Sequence, residues 1–297
     1  MTVPPTLSET MSLWQRSLPG LVPHERALSA RLHNPAELLW RRGTAGQLIA
    51  LAAYRSPETH PYGYIRLLLV EPQWQRRGLG SELVGQMRGR LGTMPLALGE
   101  ERGHFFAGAT PESVPFWQQC GFRLTGSEPV DLRRDLRVTL PEPGLPAGLR
   151  VTDATESGVL EGVLGLTREV FSPRWTYDAG ATGQLAPHQV LALARGPQVV
   201  GFAVIGTGDD PVILPSVLYP AALRRGLSDA ARVGGLGPVG LHPDLRGGGL
   251  GRAFMLAAMQ RLQRRGAEVM GIDWTGIAPF YEKLGFSVWR THRQMRG

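Results

Sequence analysis

The sequence predicts an α/β protein built as two copies of one fold, and three observations carry that prediction. One spacing pattern occurs twice: Val70-Glu71-Pro72 followed by Gln75-Arg76-Arg77-Gly78-Leu79-Gly80, and Leu241-His242-Pro243 followed by Arg246-Gly247-Gly248-Gly249-Leu250-Gly251, at a constant offset of 171 residues (70 to 241, 78 to 249). Short apolar runs alternate with stretches of helical period in both halves, the order of an α/β arrangement. Pro141 to Gly148 is a stiff Pro/Gly connector between the two patterned regions. A chain of 297 residues suits two domains of roughly 140 to 150 residues each. The expected domains are 1–140 and 148–297.

In the first half, Gln47 to Tyr54 and Tyr64 to Val70 read as strands and Leu79 to Leu91 as a helix. Pro95 to Leu98 and Phe105 to Ala107 read as strand, Val114 to Gln119 as a helix, and Phe122 onward as strand. Residues 1–20 show no strand, so this copy is expected to be abbreviated at its front. In the second half, Leu149 to Thr152 reads as a strand and Glu156 to Val170 as a helix. Val190 to Ala194 and Val199 to Ile205 form strands around an Arg195-Gly196-Pro197 turn, and Leu236 to Leu241 enters the glycine motif. Gly251 to Arg265 carries a helical pattern that stops at Gly266, where a terminal glycine belongs. Val269 to Ile272, Pro279 to Leu284 and Phe286 to Trp289 follow as strand, helix and strand.

Composition excludes several classes. No run approaches the roughly 18 apolar residues of a membrane span, and the first 30 residues lack a signal peptide's apolar stretch, so a cytoplasmic protein without a membrane partner is expected. The single cysteine, Cys120, rules out an internal disulfide and a cysteine-built metal cage. The net charge of +7 is shared evenly, with 16 basic against 12 acidic residues over 1–140 and 16 against 13 over 141–297. Its densest runs are arginine pairs such as Arg76-Arg77 and Arg264-Arg265. Dispersed charge of this kind argues against a nucleic-acid partner.

The glycine motif offers backbone N–H groups to a phosphate at a helix start. A dinucleotide-binding Gly-x-Gly-x-x-Gly would need a third glycine where Phe254 and, in the first copy, Leu83 stand. Both copies instead satisfy Gln/Arg-x-x-Gly-x-Gly directly after a strand ending in Val/Leu-x-Pro. That pattern resembles motif A of the GNAT superfamily of acetyl-CoA-dependent N-acetyltransferases. Phe280-Tyr281-Glu282-Lys283-Leu284-Gly285-Phe286 resembles the family's motif B, in the right order and about 30 residues on.

The resemblance implies two tandem GNAT-like domains, each a mixed, mostly antiparallel sheet flanked by helices, with acetyl-CoA as co-substrate and no metal. It places coenzyme A on Val239, Leu241, Arg246, Gly247, Gly248, Gly249, Leu250, Gly251 and Arg252. The glycines let the backbone approach the pyrophosphate, and the arginines add charge. The tandem repeat, the long insertion and the Asp273-Trp274 to Phe280-Tyr281 ending are similar to the glucosamine and glucosaminide N-acetyltransferases, with the tandem mycothiol synthases a second similar group.

Acyl transfer to an amine needs a free amine, stabilisation of the tetrahedral oxyanion and a proton for the leaving thiolate. By the resemblance, the backbone N–H of Leu241 serves the oxyanion and Tyr281 the thiolate. Tyr281 could also be a helix residue that packs with its hydroxyl outward. Asp273 is a candidate base or, equally, a cap on the following helix. His242 reads as a turn residue more than a base. About 30 residues between Ile205 and Leu236, with Asp209, Asp210, Tyr219 and an expected helix from Ala221 to Arg232, read as a lid over the acceptor. Trp175, Tyr177 and Asp178, expected in a loop, and Tyr219 and Trp274 are candidates for the acceptor wall. Aromatic faces with carboxylates suit a small-molecule primary amine such as an amino sugar; a protein or peptide acceptor, or an acyl-CoA sensor without turnover, remain alternatives. Aligning Phe116-Trp117 with Phe280-Tyr281 puts an indole, which cannot protonate a thiolate, in the first copy. That copy is expected to be degenerate, and its Arg76-Arg77 pair to weaken coenzyme A binding.

Overall fold

A computed structural model describes residues 3–33, 36–56, 61–101 and 103–297. These divide into two compact units. Unit 1 runs to Val130 and takes in Trp274–Gly276 and Trp289–Gly297, while unit 2 holds Asp131–Asp273 and Ile277–Val288.

Unit 1 opens with two helices, α1 (Leu7–Ser17) and α2 (Glu25–His33). Thr6 and Glu9 form a reciprocal capping box that starts α1, of a kind worth about 1 kcal/mol. The helix buries Leu13 and Trp14, roughly 2 to 3 kcal/mol for each such side chain. Strands β1 (Glu37–Arg42), β2 (Leu48–Arg55) and β3 (Gly63–Val70) pair antiparallel, helix α3 (Leu79–Leu91) follows, and β4 (Leu96–Leu98) returns parallel to β3. Helix α4 (Val114–Gln119) and β5 (Arg123–Leu124) come next. The all-apolar interiors of β2 and β4 are buried along their whole length, as in strands covered on both faces. Phe105 to Ala107 is not the strand expected from its apolar residues; the segment is irregular, and Ala109 makes an isolated bridge to Arg293.

Unit 2 begins with β6 (Val130–Asp135), then β7 (Leu149–Asp153), helices α5 (Val159–Val170) and α6 (Pro173–Leu185), and strands β8 (Val190–Arg195) and β9 (Gln198–Thr207). After the insertion, which holds the one-turn helix α7 (Pro220–Leu223), come β10 (Val233–Leu241), α8 (Leu250–Arg264), β11 (Val269–Thr275), α9 (Ala278–Glu282) and β12 (Ser287–Thr291); the last strand of the chain, β13 (Met295–Arg296), falls in unit 1.

The sheet orders are β1-β2-β3-β4-β13-β5 and β12-β6-β11-β10-β9-β8-β7. Each is mixed and mostly antiparallel, as expected. Among the described residues the first has no strand matching β7, as the shorter front suggests. The compact units are not continuous along the chain: β6 is a strand of the second sheet and β13 of the first. Met295 pairs with both Leu98 and Leu124, closing the gap between β4 and β5.

The insertion differs most from expectation. Leu214, Val217, Leu218, Tyr219 and Leu223 are buried, and a Cβ on Gly235 would press on Val217 at 2.7 Å while one on Gly271 would lie 3.2 Å from Leu223. The segment is packed down on one sheet face by those apolar side chains and is not a lid. Asp209 pairs with Arg232, and Asp210 with Arg265 and His188, tying off its ends. Burial alone would push Asp210 up, but the Arg265 guanidinium and the Thr207 N–H hold it below its ordinary range.

Candidate active site

The site grows out of the point where two parallel strands part. β10 and β11 pair from Val233↔Val269 to Leu236↔Ile272 and no further. Beyond that point β10 stays on β9, with His242 N–H donating to Val200 O at 2.9 Å. Backbone N–H groups alternate along a strand, so those of Leu241 and Val239 point away from β9 into the gap. An extended chain carrying amides can pair with such an edge.

At the far end of β10 the chain turns through Pro243 into α8. Gly247 takes φ +90° and Gly249, the N-cap of α8, φ +81°, a region that favours glycine. Gly248 needs neither that φ nor the space, since a Cβ on it would meet nothing within 4 Å. The first N–H groups of α8, at Leu250, Gly251 and Arg252, have no intrahelical partner and favour an anion. Arg252 is exposed beside them. Gly251 has a packing reason too: a Cβ there would lie 3.6 Å from the Phe280 ring.

Arg246 does other work than adding charge alone. Its Nε and Nη2 donate to the carbonyl of Leu241 at 3.3 and 3.2 Å, which fixes the loop against the strand end. His242 is a turn residue, its Nδ1 accepting from Asp244 N–H at 3.4 Å.

Asp273 stands at the other end of the gap, and its charge reaches Tyr281. A Cβ on Gly237, the residue after the last β10–β11 pair, would lie 3.4 Å from Asp273 Oδ1. The helix α9 has Ile277 as its N-cap and starts without a side-chain cap, so the capping alternative for Asp273 gains no support. Tyr281 is 5% exposed and packs edge-on to Phe280 and Phe286. Burial, with the charge of Asp273 adding to it, pushes its phenol up to about 12.

The acceptor candidates separate. Trp175, Tyr177 and Asp178 lie on α6 and not in a loop. Trp175 stacks on Phe171 at 4.9 Å and leans on Phe202, against the Gly240 backbone. Tyr177 is exposed, and Asp178 pairs with Arg174 one turn away. Tyr219 is 2% exposed and has no surface to offer an acceptor; its place in the apolar insertion explains why. Trp274 falls with unit 1.

Unit 1 contains the corresponding gap. β3 and β4 pair to Ile65↔Leu98 and then part. A cavity of about 520 Å³ opens there, lined by Leu68, Val70, Gln75, Gly80, Phe116 and Trp117. Gln75 donates to Val70 O at 3.0 Å, as Arg246 does to Leu241. Phe116 would meet a Cβ on Gly80 at 3.1 Å, as Phe280 faces Gly251. The inner end differs. In the place of Asp273 is Gly99, and in the place of Gly237 is Arg66, buried and paired through Nε and Nη2 with Glu101 at 2.9 and 2.7 Å. Burial would push Glu101 up, but Arg66 and Arg55 hold it below its ordinary range. Sequence reasoning missed this pair, although an arginine inside the apolar run of β3 was a signal that a buried carboxylate must be near. Among the described residues no group of three or more His, Cys, Asp or Glu side chains could hold a metal, and no helix is long and apolar enough to cross a membrane.

The chain is similar to known proteins. Residues 20–132 match the Acetyltransferase (GNAT) domain and residues 163–286 the Acetyltransferase (GNAT) family. A mycothiol acetyltransferase of Saccharomonospora viridis is 43% identical over 242 residues, 76% of this chain and 72% of that protein. One of Salinispora arenicola is 25% identical over 97% of this chain and 92% of its own length. Among solved structures, a GCN5-related glucosamine N-acetyltransferase region of a fungal multi-domain GH3 beta-N-acetylglucosaminidase superposes with a TM-score of 0.83 at 18% identity, covering 98% of this chain and 37% of that one. A tandem GNAT protein from the clavulanic acid biosynthesis pathway gives 0.69 at 16% identity, over 98% and 94%. At these identities the structures show the shared fold.

Proposed function

We propose that this chain, which belongs to the GNAT acetyltransferase family, transfers acetyl from acetyl-CoA to a primary amine of a small molecule at the unit 2 site. One observation carries the reading: the gap between β10 and β11 has a glycine cradle for a pyrophosphate at one end and Asp273 with Tyr281 at the other. Coenzyme A laid along the Leu241 edge would bring its thioester to the point where the strands part.

The neutral amine attacks the thioester carbonyl carbon, forming the C–N bond and a tetrahedral oxyanion. An N–H of the β10 edge, that of Leu241 by the family pattern, donates to that oxygen. Asp273 takes the amine's surplus proton. As the C–S bond breaks, the thiolate receives a proton from the Tyr281 phenol. A phenol near 12 stays protonated at neutral pH. Because proton transfer from it to a thiolate whose acid lies near 8.5 is uphill by about 3.5 pK units, Tyr281 acts first as a hydrogen-bond donor to the departing sulfur, with the proton it passes on replaced by the one released from the amine.

The relatives' names, mycothiol acetyltransferase and glucosamine N-acetyltransferase region, support a small-molecule acceptor. The amino-sugar class is our choice within it, because an amine on a polar ring suits the exposed Tyr177 beside Asp178. The test is an acceptor screen that follows coenzyme A release across glucosamine and other amino sugars, aminoglycosides, polyamines and peptide amines. Turnover highest on peptide amines would replace this reading with the protein-modifying one.

A second reading concerns unit 1. Its cavity and cradle support a second coenzyme A site without turnover, since the carboxylate at its inner end, Glu101, is tied to Arg66 and Trp117 stands in the place of Tyr281. Calorimetry decides it: a stoichiometry of two supports the reading, and one sinks it.

A further inference from the structure

Past the point where it parts from β11, β10 is held on one side only. It pairs with β11 up to Leu236, shifts register, and resumes on β9 from Val239↔Ala203 to Leu241↔Gly201. Among the described strands none pairs with its gap side there, so no ladder fixes the tilt of those peptides. A donor to an oxyanion must nevertheless be aimed closely.

Two contacts within unit 2 pin the peptide that carries the Leu241 N–H. On one side is Gly240, which takes no left-handed φ. What this position needs is space, because a Cβ there would lie 2.6 Å from Cε1 of Phe171 and 3.1 Å from Cζ3 of Trp175. Phe202 is the β9 partner of Gly240 and so projects on the same face of the sheet. Both rings meet it edge-on, with centroids 5.6 and 5.9 Å away. Trp175 stacks on Phe171 from behind, and the Phe171 ring is wedged against the Gly240 backbone. On the other side is Arg246. Its Nε and Nη2 grip the Leu241 carbonyl, and its guanidinium lies 6.0 Å from the centroid of the same Phe171 ring, within reach of a cation–π contact. One ring thus borders both ends of the Gly240–Leu241 unit. The geometry points to Phe171 as a positioning residue for the Leu241 N–H, acting through Gly240 and Arg246. The inference rests on the proposed role of that N–H at the oxyanion.

The test reads the N–H directly. Acetyl-CoA isotope-labelled at the thioester carbonyl gives an infrared band that falls in frequency as the oxygen accepts a hydrogen bond. Bound at unit 2 of the parent, it should absorb below free acetyl-CoA; Gly248→Val, with its unit 2 cradle obstructed, supplies any unit 1 share for subtraction. Gly240→Ala, whose methyl must displace the ring, should return the band toward the free position. It should also lower kcat on the amine that the acceptor screen ranks first by roughly 10- to 100-fold, the cost of misplacing a catalytic group by about an ångström, with coenzyme A affinity within about threefold. Phe171→Ala should shift the band the same way and lower kcat about tenfold; it introduces no clash, so it carries the test should Gly240→Ala not fold. The two changes combined should be no worse than Gly240→Ala alone, since both act on one contact. A parent-like band and kcat in Phe171→Ala overturns the inference. So do losses that add in the combined variant, and so does a lower Tm with band and kcat unchanged, which would make the ring merely structural. Failure of the underlying reading looks different: if the carbonyl bound at unit 2 of the parent absorbs where free acetyl-CoA does, the Leu241 donor and its positioning fall together. A lowered band that Gly240→Ala and Phe171→Ala leave in place removes the positioning alone.

Discussion

The loops at Gln75–Gly80 and Arg246–Gly251 share a backbone and differ in side chains. Arg76 takes φ +58° and Gly78 +86°, where Gly247 takes +90° and Gly249 +81°. Each opening residue reaches the carbonyl five positions back, and each closing glycine faces an aromatic ring. The Arg76-Arg77 pair therefore keeps the loop's left-handed positions, and the Arg77 guanidinium lies over Trp74 at 5.2 Å. The copies diverge where the strands part: Asp273, Gly237 and Tyr281 in one, Gly99, the Arg66–Glu101 pair and Trp117 in the other. On the proposed reading, holding an anion would be backbone work common to both loops, and the chemistry would rest on the few side chains that differ.

The largest expected effect concerns what fills the inner end of unit 1. Arg66→Met leaves Glu101 buried with Arg55 as its remaining ion-pair partner, and should destabilise the protein by about 3 to 5 kcal/mol, read by denaturant unfolding. Because Glu101 is depressed in the folded protein, the pair's contribution is present above its ordinary value of 4.5 and is lost as pH falls through the folded value. The parent should thus lose more stability on acidification below that range than Arg66→Met does. Equal acid sensitivity would mean that the pair is not what closes this end.

Tyr281→Phe should lower kcat by roughly 10²-fold with acetyl-CoA affinity unchanged, and Trp117→Phe should leave kcat alone. Equal losses from the two would break the division between a working and a silent copy. With the phenol near 12, Tyr281 should contribute no basic limb to the pH–rate profile below about pH 11.

The cradle can be probed without disturbing the fold at Gly248, where a side chain meets no protein atom. Gly248→Val should weaken acetyl-CoA binding at unit 2 about tenfold or more with Tm unchanged. Gly249→Val, strained by its φ of +81°, should lower Tm as well. Calorimetry with thermal melts checks both, and unchanged affinity in Gly248→Val would leave the glycines a turn-making role only.

The smallest effect is expected at Arg76→Gly. Relief of its left-handed φ should raise stability by about 0.5 to 1 kcal/mol, with coenzyme A stoichiometry unaltered. A loss of the unit 1 site would show that the Arg76 charge, not only the loop's shape, holds the ligand.

The repeat, β10, α8 and both glycine loops were legible in the sequence because each is local: an apolar run, a turn residue, a helical period. Helices α1 and α2 and strand β1 were not, their apolar residues being too sparse over 1–42. The exchange of β6 and β13 leaves no local sign at all, since a strand as short as Met295–Arg296 has no period and its partners, from Leu124 back to Leu98, lie roughly 170 to 200 residues away. Tyr219 was visible as an aromatic in a long loop and was read as an acceptor contact, yet the neighbouring Leu214, Val217, Leu218 and Leu223 bury it. Burial, unlike loop length, depends on what those side chains find to cover, here the glycine-bearing face at Gly235 and Gly271.

The position of β13 also sets a timetable. Leu96 exchanges backbone hydrogen bonds with Gly297, at 2.6 and 2.9 Å, so the sheet that begins with β1 is completed by residues made about 170 positions after β5. At roughly 5 to 20 residues per second of synthesis, the facing edges of β4 and β5 wait on the order of 10 to 30 s for their partner strand. Through that interval the nascent first sheet carries two unfilled edges of the kind that recruits foreign strands, while the second sheet already has β6 in hand before its other strands emerge. Removal of Met295 to Gly297 should recreate that waiting state permanently, and its cost should fall on the half of the protein most distant in sequence from the deletion.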